Sequence, residues 1–420
     1  MPYLKTFLQE NLSLSTKLTL KQWVATAKSW TRLKRRSESS ISHQDVHPPH
    51  GAQSNADRPA ILVCDERIPS PDRDAGSLRM YMILKTVAQW SHVVFLPFNR
   101  PQGIEYEQAL WNLGVETGEI IDYRLLLKNR NFTAAILSRP SVGGAMLNRI
   151  RRSAPGTKII FDPVDTHFQR LEREYRTTGR REALRAARRY RKLEARLARQ
   201  SDLVWCASPE DKQAMQKETQ ATPIDVIPTI HELHGHGPPF EQRRDLLFVG
   251  NMAHSPNADA VHYFMREIYP RIREAMPEVK VKIIGDDPAG EIRQYDSEQV
   301  SILGYVPEIE GFYQRSRVFI APVRFGAGIK GKIGEALSYG VPVVTTSIGA
   351  EGFGLKHGVD VMIADEPSAF ADAVVQLYTS KELWDTLANN GRDRIQNNFT
   401  PEVIARTIND SIRRLANLNS

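Results

Sequence analysis

The stretch APVRFGAGIKGKIGEALSYGVPVVTTSIGAEGF (residues 321–353) decides how the rest of the chain is read. It begins where an apolar run, Val318-Phe-Ile-Ala321, reads as the end of a buried strand. A loop carrying Gly326 and Gly328 follows, and it opens into a helix. Glycine lets backbone approach a ligand closely. A helix N-terminus offers free N–H groups and a favourable dipole for a diphosphate. Arg324, Lys330 and Lys332 supply the countercharge. The plainer alternative is a glycine-rich loop with solvated lysines.

Outward from this loop the chain alternates short β-branched runs with helical stretches. The runs include Ile61–Cys64, Val93–Leu96, Ala134–Leu137, Lys158–Phe161 and Leu203–Cys206, then Leu246–Val249, Val281–Ile284, Val341–Thr345 and Val361–Ile363. Strands alternating with helices imply parallel sheets covered on both faces. The alternation stops after Ile227 at PTIHELHGHGPPFEQRR and then restarts. The expectation is therefore an α/β protein of two Rossmann-like domains facing a cleft, residues 60–228 and 245–400, joined by a linker at 229–244. Residues 1–59 read as a helical extension with a flexible linker, and 401–420 as a C-terminal helix crossing back to the first domain. Ligands of such sheets bind at the carboxyl ends of strands.

Composition narrows the classes. The chain has 420 residues, 41% hydrophobic and 25% charged, which suits a globular protein of two ordinary domains. The two cysteines, Cys64 and Cys206, lie in strand-like runs, so a disulfide framework is excluded and a cytoplasmic location is expected. No signal peptide or membrane span is legible. The net charge of +7 favours anionic partners without choosing among them. No nucleic-acid motif is present, and no cluster with metal-ligand spacing.

The second half resembles the glycosyltransferase group 1 family, also called family 4. The likeness rests on LLFVGNMAHSPNADAVHYF (246–264), VKIIGDDP (281–288), ILGYVPEIEGFY (302–313) and the opening stretch, with ILVCDERIPSPDRDAGSLRM (61–80), IIFDPVDTHF (159–168) and DLVWCASPED (202–211) in the first half. The resemblance implies the GT-B fold and a nucleoside diphosphate sugar as donor. It also implies no metal or other cofactor, and usually retention of anomeric configuration. In such a transfer charge grows on the leaving diphosphate, and fixed cations there lower the barrier.

The resemblance also distributes roles. Glu335 is expected to accept hydrogen bonds from the ribose, on the first turn of its helix. Gly304-Tyr305-Val306 would lie against the nucleobase. Gly250 and Asn251 follow the first strand of the second domain, where many members carry Arg and Lys. Their absence leaves the diphosphate to Arg324, Lys330 and Lys332, with Gly326 and Gly328 close by. Ala327 stands where the family usually has a first Glu contacting the sugar, which leaves the donor sugar open. Ala327 is also the best support for a non-catalytic partner subunit; a nucleotide-sugar epimerase of the same fold is a further alternative.

In the first domain Gly76 is the expected contact with donor phosphate or acceptor, with Ser77 as a helix cap. Asp165 is the candidate base for the acceptor hydroxyl and His167 the second choice. If the donor phosphate takes the proton, both orient the acceptor. A loop in which Asp165 merely caps the next helix is the structural alternative. The acceptor is read as a glycan, a lipid-linked molecule or a small molecule. Residues 169–200 read as one Arg-dense helix: the plainer reading is a surface helix with solvated charges, and the sharper one a platform for lipid-linked acceptors or for an anionic membrane surface at its inner face. The first 36 residues, with Trp23 and Trp30 at helical spacing, read as an interfacial anchor or as an extension docked on protein.

Overall fold

A computed structural model of the chain describes residues 58–99, 104–219, 221–235, 237–287 and 289–416. The proposed anchor, including Trp23 and Trp30, lies outside the described residues.

The N-terminal sheet has seven parallel strands in the order β3-β2-β1-β4-β5-β6-β7. They are β1 (Ala60–Arg67), β2 (His92–Asn99), β3 (Glu116–Thr117), β4 (Phe132–Ser138), β5 (Lys158–Asp162), β6 (Leu203–Cys206) and β7 (Ile224–Val226). Ile61, Leu62, Val63 and Cys64 are all fully buried, because helices cover both faces of a parallel sheet and leave no polar side. The helices are α1 (Ala75–Val87), α2 (Glu105–Asn112), α3 (Tyr123–Asn129), α4 (Pro140–Ser153), α5 (His167–Thr178), α6 (Arg181–Gln200) and α7 (Pro209–Thr219).

The C-terminal sheet has six parallel strands in the order β10-β9-β8-β11-β12-β13. They are β8 (Arg244–Val249), β9 (Val281–Ile284), β10 (Val300–Gly304), β11 (Ser316–Ala321), β12 (Val343–Thr345) and β13 (Met362–Ile363). Its helices are α8 (Ser255–Tyr263), α9 (Tyr269–Ala275), α10 (Glu310–Arg315), α11 (Gly331–Ser338), α12 (Ser347–Ala350), α13 (Pro367–Thr379), α14 (Lys381–Asn398) and α15 (Pro401–Ala416).

Each sheet reverses its strand order once, between β1 and β4 and between β8 and β11. Such reversals open a crevice at the carboxyl edge. The two crevices face each other: a Cβ on Gly331, the first residue of α11, would lie 2.7 Å from the Cβ of Ala75, the first residue of α1. The chain crosses between the domains at 227–243 and again at Phe399–Thr400, and the crossings touch where the His231 N–H donates to the Phe399 carbonyl at 2.8 Å. α15 then covers the N-terminal sheet with Ile404, Ile408 and Ile412, spaced four apart on one helical face.

Three local expectations are corrected. The Arg-dense segment is two helices, because Gly179 is left-handed (φ 71°) and caps α5. Asp74, not Ser77, caps α1, its carboxylate accepting the Ser77 N–H at 2.8 Å. Glu335 is the fifth residue of α11 and so lies one turn deeper than expected.

Candidate active site

The glycine-rich loop lies between β11 and α11, where the sheet's crevice opens. Gly328 is left-handed (φ 66°), and a Cβ there would meet the Asp165 Cβ at 3.3 Å, so the loop passes directly against the N-terminal domain. Its N–H donates to the Asp211 carboxylate at 3.3 Å. Arg173 of α5 donates to the Gly326 carbonyl at 2.8 Å and grips Glu351 with both terminal nitrogens, at 2.7 and 2.8 Å. The loop's near neighbours are thus N-terminal residues that reach over it.

The three expected cations have different surroundings. Lys330 is 8% exposed; it donates to the Gly328 carbonyl at 2.9 Å and lies 3.4 Å from Glu351. Burial pulls its ammonium below the ordinary range, against the pull of Glu351. Lys332 donates to Asn257 and sits 4.7 Å over the Phe248 ring. Burial, with Lys330 beside it, brings it down to about 7, so an arriving anion would restore its charge. Arg324 is exposed at the rim and forks onto Asp259. Lys330 and Lys332 converge on the loop; Arg324 must leave Asp259 to join them.

Gly250 closes the far wall. A Cβ there would press on Asn257 at 2.9 Å and on the Lys332 ammonium at 3.1 Å, so only glycine leaves that lysine its place. The Asn251 side chain accepts the Ala253 N–H, and its carbonyl accepts from Asn257. Tyr305 directly follows β10; its hydroxyl donates to Asp72 of the N-terminal domain at 2.9 Å, and Arg73 stacks on its ring at 3.8 Å. Val306, beside it, is half-buried against the C-terminal core. Glu335 faces two linker histidines, His231 Nδ1 at 3.4 Å and His234 Nε2 at 3.5 Å. Burial works against its charge, but the imidazoles outweigh it and hold the carboxyl down at about 2.

Across the cleft Gly76 sits in the first turn of α1; a Cβ would meet Val164 at 3.3 Å and the Arg139 guanidinium at 3.4 Å. Val164 is left-handed (φ 70°), a conformation costing a β-branched residue about 1–3 kcal/mol, at the turn that delivers Asp165 to the loop. Asp162, behind it, is spent on a fully buried pair with Arg79 at 2.8 Å. Asp165 accepts from Arg170 at 2.7 Å and lies 3.0 Å from His167 Nδ1. Burial opposes its charge, yet these two cations hold its carboxyl well below the usual range. Burial also disfavours the His167 imidazolium, but Asp165 and then Glu194, 3.3 Å away, raise it to about 10. Asp165 does not cap α5; the buried Glu194 does, accepting the His167 and Phe168 N–H groups.

Five participants went unnoticed in the sequence: Arg139, Arg173, Glu194, Asp211 and Glu351. Glu194 had one legible signal, since it lies four residues beyond Tyr190 on the apolar stripe of α6. Asp211 is 1% exposed, and burial followed by the charge of Asp165 pushes its carboxyl up to about 6. Among the described residues no group of three His, Cys, Asp or Glu side chains could hold a metal ion.

Residues 243–380 match the family model described as Glycosyl transferases group 1. A protein of Klebsiella pneumoniae described as an uncharacterized 44.6 kDa protein in the cps region is 27% identical over 173 residues, covering 39% of this chain and 45% of its own. "Putative glycosyltransferase YtcC" of Bacillus subtilis (strain 168) is 24% identical over 187 residues, covering 40% and 45%. The match thus spans less than half the length of these curated relatives. Among solved structures, sucrose-phosphate synthase from Thermosynechococcus elongatus superposes with a TM-score of 0.67 at 14% identity, over 86% of this chain and 100% of that one. Anabaena Alr3699/HepE in complex with UDP and glucose gives 0.64 at 14%, over 84% and 99%. The C-terminal domain is thus similar to the group 1 glycosyltransferases over residues 243–380, and the whole chain carries the two-domain GT-B fold.

Proposed function

We propose that the chain transfers a sugar from a nucleoside diphosphate sugar to a glycan or lipid-linked acceptor, with retention of configuration and without a metal, in building a polysaccharide. The observation that carries this is the loop of Gly326–Lys330. It joins a helix N-terminus to two converging lysines at the one place where both crevices meet. The Anabaena neighbour's UDP and glucose support UDP-sugars as the donors to try first.

In this reading Lys330 and Lys332 hold the diphosphate and take up the charge that develops as the sugar leaves. Arg324 closes on it from the rim, Gly250 and Gly328 leave room, and Gly76 admits the acceptor side. Glu335, fixed by His231 and His234, accepts from the ribose, and the base rests against Tyr305 and Val306. A carboxylate held as low as Asp165 is a poor base, and a protonated His167 cannot be one. The acceptor proton therefore goes to the donor phosphate, and the Asp165–His167 pair orients the acceptor hydroxyl.

We further infer a peripheral position at the inner, cytoplasmic face of a membrane. Arg181, Arg185, Arg188, Lys192 and Arg196 recur along one exposed side of α6, a pattern suited to anionic lipid. No helix among the described residues is long and apolar enough to cross a membrane. The test of the function is nucleotide release from a panel of nucleotide sugars in the presence of a chelator. Release that Lys330→Ala abolishes supports it. Activity that appears only with Mn²⁺ or Mg²⁺ contradicts it, and a product sugar epimerised without release indicates an epimerase instead.

A further inference from the structure

α5, α6 and α7 line a half-open cavity of about 240 Å³ beside the cleft. Gln169, Glu172, Arg173, Arg176, Arg191 and Lys217 give it a strongly basic lining. Arg191 is fixed: it pairs with Glu172 at 2.7 Å and with Glu218, and it stacks 4.3 Å over Phe168. Arg173 is fixed from the other side by Glu351 and Gly326. Arg176 and Lys217 are exposed and have no hydrogen-bond or ion-pair partner among the described residues. The Gln169 amide oxygen is buried with no partner. Buried polar atoms are normally satisfied, and a half turn of this amide would instead point an N–H2 inward.

We propose that this cavity binds a phosphate group carried by the sugar acceptor. The inference rests on the transferase reading above, which supplies an acceptor. Glu172, Glu218 and Glu351 are taken up by Arg191 and Arg173, which leaves Arg176 and Lys217 unpaired for an anion, and arginine forks match phosphate oxygens. The volume admits a phosphate or diphosphate but not a sugar nucleotide. Its position ties it to the acceptor: α5 begins at His167, and Arg173 spans from the cavity to the phosphate loop.

The test uses the full chain with its nucleotide site filled by excess UDP, so that added phosphate cannot report on the loop. Calorimetry follows inorganic phosphate in one arm and geranyl diphosphate, a lipid diphosphate probe, in the other. Both are expected to bind saturably, geranyl diphosphate at least tenfold tighter. The double variant Arg176→Ala/Lys217→Ala is expected to weaken both by tenfold or more while UDP affinity stays unchanged. Both residues are exposed, so the variant is expected to fold. Absence of saturable binding, or a variant that binds like the parent chain, overturns the site. Inorganic phosphate binding as tightly as geranyl diphosphate overturns the acceptor assignment in favour of free phosphate. Failure of UDP itself to bind would count against the transferase reading rather than the cavity.

Discussion

His167 shows how a residue's surroundings decide what it can do. Its ordinary value is near 6.5, but in the folded chain Asp165 and Glu194 prevail over burial and raise it to about 10. A raised folded value contributes stability that is fully present below the unfolded value and is lost as pH rises through the folded one. His167→Gln is therefore expected to cost most stability near pH 6, with the cost shrinking toward pH 10. Denaturant unfolding at pH 6, 8 and 10 checks this, and a cost that grows with pH contradicts it. Glu335 runs the other way: its depressed value contributes above about pH 4.3 and is lost as pH falls toward 2. Glu335→Gln should therefore cost more stability at pH 6 than at pH 3, and little only near pH 2. At this scale the sequence told which residue types gather at strand ends, because a glycine-rich basic loop before a helix has few structural uses. It did not tell their pairing. The partners of Lys330 and His167 come from 21 residues away (Glu351) or from another helix (Glu194), and no local spacing records such contacts.

Among elements, α15 has the clearest physical cause. Ile404, Ile408 and Ile412 form a stripe at helical period, and Trp205 fixes its register by donating to Ser411 at 2.8 Å. Ile408 is fully buried, so Ile408→Ala should cost about 2–5 kcal/mol of stability, measurable as a lowered denaturation midpoint. A change under 0.5 kcal/mol would mean the helix is only lightly docked. The long β-branched strands were legible for the same reason, since burial on both faces forces continuous apolar runs. β3, with two residues, and the edge strand β7, with three, were not read as strands, because short edge pairings need no such run. The break between α5 and α6 was hidden by uniform Arg and Glu composition. Gly179 was its only mark, and a single glycine within a helical pattern is weak evidence of an end.

The whole molecule is described in a closed arrangement. Arg173 with Glu351 and Asp211 with Gly328 join the domains around the same loop, and Asp72 with Tyr305 joins them beyond β10. Gly331 lets the two helix N-termini meet, and Gly331→Ala would set a Cβ 2.7 Å from that of Ala75. Overpacking of this kind costs about 1–3 kcal/mol. Because it falls between domains, kcat/KM for the donor should drop roughly 5- to 100-fold with little change in thermal stability; the reverse pattern would show a defect within one domain. The two-domain plan was legible from the alternation and its interruption after Ile227. The contacts that close it were not, because they join residues more than a hundred positions apart.

The most direct measurement is calorimetric titration of UDP into the full chain and into Lys330→Ala, both in chelator. Binding by the parent chain without metal is expected, weakened by about 1.5–3 kcal/mol in the variant, the usual worth of a hydrogen bond to a charged group. Equal affinity for the two proteins, or binding that requires added metal, would contradict a diphosphate held by this loop.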